Sequence, residues 1–169
     1  MARTAVKMAM AALFLVFSLT VGMNAWAGQN NDAVALKGVK QGKGIFLLDV
    51  DNPQKAALYL NIINDTHKSM AAQKVKPDFI IVFVGPTVRF LTTEPDAELA
   101  AKQKEALASI AASIKRLKVK GVKMEICEIA TGFFKVSNDK LLPELKLVSN
   151  GFISLIGYQS KGYGLVPIF

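Results

Sequence analysis

The stretch "GIFLLDVDNPQK", residues 44–55, holds a strand and the start of a helix with almost nothing between them. "GIFLLDV" (44–50) is a short apolar run that does not alternate with polar residues. Such a run predicts a strand covered on both faces. Asn52 has the side chain of a helix N-cap, and Pro53 suits a first helical position, where no amide hydrogen is needed. Leu60, Ile63, His67 and Met70 then recur at three- and four-residue spacing, one inward stripe of a helix.

The same strand-then-helix unit repeats down the chain. "DFIIVFVG" (78–85) predicts a second buried strand, followed by a loop, "PTVRFLTTEP". Pro95 opens an expected second helix. Its inner face carries Leu99, Gln103, Ala106, Leu107, Ile110, Ile114 and Leu117. Lys115, Arg116 and Lys118 sit in its last turns, where cations favour the helix dipole, and Gly121 stops it. "VKMEICEI" (122–129) is the third expected strand. "TGFFKVSNDKLLPEL" reads as a turn with short helical pieces, and "KLVS" as a brief fourth strand. "NGFISLIGYQSKG" (150–162) predicts a helix with Asn150 near its cap. "YGLVPIF" is the last strand, and Pro167 belongs at that strand's end or on a sheet edge, because it cannot donate to a ladder.

Strands and helices that alternate with crossover-length connections predict a mostly parallel sheet with helices on both faces. Ligands of such sheets bind beyond the carboxyl ends of the strands. Those ends are Asp49 to Asn52, Gly85 to Arg89, Cys127 to Gly132 and Ser149 to Gly151.

The amino terminus reads differently. Arg3 and Lys7 precede the apolar run "MAMAALFLVFSLTVGM", and "AWA" (Ala25, Trp26, Ala27) has the small-residue pattern of a cleavage site. Residues 1–27 are expected to be a cleaved secretory signal, which places the mature chain in the periplasm or outside the cell. No stable membrane anchor is expected after cleavage. Residues 28–43 are polar and suit a flexible lead-in, with the folded domain over 44–169. Cleavage leaves 142 of 169 residues, enough for one core, and lowers the net charge from +8 to +6. The lysines are scattered over helix faces and ends, without the arginine–aromatic clustering of a nucleic-acid surface, so no nucleic-acid partner is expected.

The chain has one cysteine, Cys127, and one histidine, His67. An unpaired cysteine in an oxidising compartment is buried and inert, paired between chains, or chemically used. Nucleophilic use needs the thiolate, which Glu125 and Glu128 would oppose and a helix starting in "ATGFF" would favour. His67 lies on an apolar stripe, where a core or rim role is the plainer reading. A metal site is not expected from one histidine and one cysteine. Neither G-x-G-x-x-G after the first strand nor G-x-x-x-x-G-K-[ST] is present, and no cofactor is expected. Asp49, Asp51 and Glu128 are explained as caps and solvated strand ends.

The last third of the chain resembles the DsrE/DsrF-like family. Its members have a hydrophobic strand ending in cysteine, an alanine three residues on, a "D-x-L-L-P-G-V" stretch, a "V-x-x-G" before a helix and an "L-Q-x-Q-G-Y" segment before the final strand. Those places here hold Cys127, Ala130, "DKLLPEL", "VSNG" and "GYQSKGY". "LYLNIINDTHKSM" and "FIIVFVGPTVRFL" look similar too. Where relay members often carry "R-G", this chain has Phe134 and Lys135; Glu144 replaces the glycine of "P-G-V".

The resemblance implies a three-layer α/β/α domain with a parallel five-stranded sheet, assembled as a trimer or hexamer. It also implies that Cys127 carries sulfane sulfur as a persulfide, exchanged with a sulfur donor or acceptor protein. Tyr158, Gln159 and Tyr163 are expected to line the neighbouring pocket. A second reading makes Cys127 structural, with Asp51, Gly85, Pro86 and Arg89 holding a small ligand or a partner. A third, a dimer joined through Cys127, is disfavoured by the expected burial of its strand.

Overall fold

A computed structural model describes residues 31–169. The expected signal, 1–27, and the start of the lead-in lie outside the described residues. Strand β1, Gln41–Leu48, begins before the apolar run does. Gln41 to Lys43 pair in register with Lys76 to Asp78, so the ladder continues to a solvated rim that hydropathy does not mark. Helix α1, Pro53–Ala72, starts where expected: Asn52 Oδ1 accepts the Lys55 N–H at 2.9 Å, and Pro53 opens the first turn. Leu60 and Ile63 are buried on its inner stripe.

Strand β2, Lys76–Phe83, is buried through its second half. The segment expected as a plain loop after it contains a 3₁₀ helix, Gly85–Phe90, with Thr87, Val88 and Phe90 buried. The Thr87 hydroxyl accepts the Val50 N–H at 2.7 Å and donates to the Val50 carbonyl at 3.0 Å. This staples the end of β2 to the end of β1.

The single helix expected from Pro95 is two, α2 (Ala97–Lys102) and α3 (Lys104–Val119). Asp96, not Pro95, begins α2, accepting from the amides of Glu98 and Leu99. The break is Gln103, at φ −127°, whose side-chain oxygen accepts from Gln54 Nε2 on α1. No glycine or proline marks it, so helical periodicity runs through it. Strand β3, Lys123–Cys127, is shorter than expected because Glu128–Phe133 coils into helix α4. Strand β4 is Lys146–Val148. Helix α5, Gly151–Gln159, is capped by Asn150, whose Oδ1 accepts the Phe152 N–H at 2.9 Å. Strand β5 is Gly164–Ile168.

The five strands run in the order β4-β3-β2-β1-β5, and every ladder is parallel. From β1 to β4 the chain steps one way across the sheet, so right-handed crossovers put those helices on one face. The return from β4 to β5 crosses to the opposite edge, which puts α5 on the other face. Side-chain alternation agrees. Phe79 meets His67 of α1 with ring centroids 5.7 Å apart. Val82 and Cys127, of opposite parity, lie against Gly151 of α5. Pro167 sits on the edge strand. The described elements belong to one compact unit, Ala33–Phe169.

Candidate functional site

Cys127 is the last residue of β3 and the residue that precedes α4. Its side chain is 6% exposed and faces α5. The Gly151 N–H, in the first turn of that helix, donates to Cys127 Sγ at 3.3 Å. An amide at a helix start is a donor that favours negative charge on sulfur. The contact depends on a missing side chain. A Cβ on Gly151 would lie 2.9 Å from Val84 Cγ1 and 3.2 Å from Cys127 Cβ. The glycine of "VSNG" thus lets α5 start directly against the cysteine.

Of Glu125 and Glu128, expected to oppose a thiolate at Cys127, Glu125 shares the buried face of the cysteine and Glu128 does not. Glu128 is exposed, and its Oε1 accepts weakly from Asn138 Nδ2, at 3.5 Å. The Glu125 Oε1 is engaged by the Tyr158 hydroxyl at 3.0 Å.

The two groups expected to form pockets are rearranged. Tyr158 shares a cleft with Val148, the register partner of Cys127, and with the strand-end residues Ser149 and Asn150, whereas Tyr163 lies farther down the sheet. Helix α5 starts at the carboxyl edge of the sheet and runs back against the strands, so its last turn lies toward their amino ends. Tyr163 accordingly donates to Asp78 Oδ2 at 2.9 Å and has Lys43 Nζ 5.5 Å from its ring centroid, both partners near strand starts. Burial, the Asp78 hydrogen bond and the nearby charge push the Tyr163 hydroxyl up to about 12. Tyr158 is raised too, by burial first and by Glu125 second.

Of the strand-end group, Arg89 lines a cleft of about 420 Å³ with Thr92, Glu94, Lys135, Ser137 and Lys140. Asp51, Gly85 and Pro86 are not part of it. Gly85 begins the 3₁₀ helix at φ +54°, and the Asp49 carboxylate occupies the space where a Cβ would stand. The expectation treated the connection as open loop, whereas Gly85–Phe90 winds into a 3₁₀ helix that Thr87 ties to Val50.

Lys135, in the place of the relay-type glycine, keeps the glycine conformation at φ 55°. The Val136 N–H reaches the Thr131 carbonyl at 2.9 Å and the Lys135 N–H reaches Gly132 at 3.3 Å, a Schellman closure of α4. His67 sits at the rim, with its pKa lowered by burial and then by Lys120. Among the described residues, no group of three or more His, Cys, Asp or Glu is placed to hold a metal, and no helix is long and apolar enough to cross a membrane.

Sequence reasoning missed two features. One is the buried placement of Glu125, signalled only by a charge inside an apolar strand, "KMEIC". The other is the joining of Lys135, Ser137 and Lys140 to Arg89, which no local pattern marks.

The fold is shared with solved structures. A protein of unknown function, MTH1491, from Methanobacterium thermoautotrophicum superposes with a TM-score of 0.58 at 16% identity, over 75% of this chain and 99% of that one. The ychN protein from E. coli gives a TM-score of 0.52 at 10% identity, again over 75% and 99%. No curated protein sequence matches the chain. The model of the DsrE/DsrF-like family matches residues 43–167, which is most of the chain and all five strands apart from the ends of β1 and β5. The chain therefore belongs to the DsrE/DsrF-like family.

Proposed function

We propose that the protein is an exported sulfur carrier in which Cys127 bears the persulfide. The observation that carries this is the contact between Sγ and the Gly151 amide at the start of α5. It supplies a fixed donor to a thiolate at the carboxyl end of a central strand, where α/β sheets do their chemistry. In the loading step the Cys127 thiolate attacks the sulfane sulfur of a donor persulfide. One S–S bond forms, one breaks, and the donor leaves as a thiolate with the electron pair, so there is no net redox change. Unloading repeats the exchange with an acceptor thiolate. The added sulfur stands about 2 Å beyond Sγ, farther from the backbone than the thiol that carries it. The signal-like residues 1–27 support export to the periplasm or beyond, and the family resemblance supports a trimer or hexamer.

A second reading, an assembly module with a structural cysteine, has its own support. Cys127 is buried, and Phe152, Ile153 and Ile156 of α5, the helix that packs against it, are all more than half exposed. Such a patch suits a covering partner. Alkylation separates the two. In the carrier reading, Cys127 of the native protein reacts with iodoacetamide at a rate comparable to small thiols. Reaction only after unfolding contradicts it and favours the assembly module.

A further inference from the structure

Among the described residues, one buried side-chain polar atom has no hydrogen-bond partner, Glu125 Oε2. Glu125 is 5% exposed in the middle of β3. Leaving such an oxygen unpaired costs on the order of 1–3 kcal/mol, more when charged, so native proteins pair such groups with protein, ordered water, an ion or a ligand. A leucine there would complete the strand at no such cost.

Glu125 lines a cleft of about 310 Å³ between β4 and α5, together with Tyr158, Lys146, Lys161, Ser149 and Ser154. Lys146 is the register partner of Glu125, so its side chain leaves the same face of the sheet one strand away, about 4.8 Å at the backbone. Its ammonium makes no ion pair with Glu125. Lys161 Nζ lies 5.4 Å from the Tyr158 ring centroid at the other end of the cleft. Tyr158 holds Oε1, and Oε2 is left buried and unpartnered in the wall of the cleft.

The signs of these groups restrict the ligand. A plain anion meets the carboxylate. A plain cation meets two lysines. A molecule with an ammonium group pointing in and a carboxylate pointing out satisfies both, and the serine hydroxyls add neutral hydrogen bonds. The volume is at the small end of ligand sites.

We propose that this cleft binds a small zwitterion of the α-amino-acid class, its ammonium toward the Glu125 carboxylate and its carboxylate at Lys146 and Lys161. The proposal needs no persulfide on Cys127 and stands apart from the carrier reading.

The test is calorimetric titration of the full chain with a panel of common L-amino acids, and with ethylamine and propionate as the two halves. At least one amino acid binds saturably, and each half binds at least about ten-fold more weakly. Glu125→Gln keeps the Tyr158 partner and loses about ten- to a hundred-fold in affinity, the equivalent of a lost hydrogen bond to a charged group. Lys146→Met, at an exposed position where folding is not at stake, also weakens binding, by a factor of about five. Binding by no amino acid overturns the proposal, and so does ethylamine binding as tightly as the zwitterion. Unchanged affinity in Lys146→Met or in folded Glu125→Gln overturns it as well. Far-UV circular dichroism establishes that Glu125→Gln is folded.

Discussion

Gly151 carries the contact on which the reading of Cys127 depends. Adding a methyl group there drives Cβ into Val84 and Cys127. We expect Gly151→Ala to cost about 1–3 kcal/mol, as over-packing does, measured by urea unfolding. We also expect it to change the native alkylation rate of Cys127, because α5 must move off the sulfur. Lys135 is the opposite case, a side chain where the backbone asks for glycine. Lys135→Gly is expected to stabilise the protein by about 0.5–1 kcal/mol, the left-handed penalty less the entropy of glycine. A lower unfolding midpoint in that variant means the Lys135 side chain makes a contact in its cleft that outweighs the strain. Local chemistry was readable at this scale. Asn52, Pro53, Asn150 and Pro167 all act as their side chains dictate. The burial of Glu125 was not readable, because its partner Tyr158 is distant in sequence, and the break at Gln103 has no glycine or proline to mark it.

Among the elements, α5 is the least satisfied. It is apolar nearly all round, with Leu155 facing the sheet and Phe152, Ile153 and Ile156 facing solvent. A helix hydrophobic on every side is normally covered on every side. We expect Ile153→Asp with Ile156→Asp to leave the circular dichroism of the folded chain unchanged and to shift its sedimentation from oligomer to monomer. A wild-type chain that already sediments as a monomer contradicts this use of the face. The strands were legible as apolar runs, and their ends were not. A run marks where side chains are covered, whereas a ladder continues as far as backbone groups find partners, as Gln41 to Lys43 do with β2. The 3₁₀ helix after β2 was missed for a related reason. Its lock is one hydroxyl, Thr87, bonding to both backbone groups of Val50.

For the whole molecule, the parallel sheet followed from alternation and connection length, and with it the carboxyl edge where Cys127 stands. The same topology carries Tyr163 away from the cysteine to Asp78, while Tyr158 stays within reach of Glu125, two residues from Cys127. A helix that leaves the carboxyl edge must return toward the amino edge, so residues past its end are far along that path. His67 gives the folded chain a pH dependence of known sign. Burial and Lys120 lower its pKa below the ordinary 6.5, so the unfolded chain binds the proton more readily. Its contribution to stability is present above that value and is lost as the pH falls below it. Urea midpoints are expected to drop between pH 7 and about 5.5, and to drop less in His67→Gln. An equal drop in both assigns the effect to other groups.

The central claim is that Cys127 carries sulfur, and intact-protein mass spectrometry tests it most directly. The chain is weighed before and after exposure to a sulfane-sulfur donor, with Cys127→Ser alongside. We expect a gain of one sulfur per chain, reversed by a thiol reductant and absent from the variant. No gain, in a protein whose cysteine labels only after unfolding, contradicts the claim and makes Cys127 part of the core.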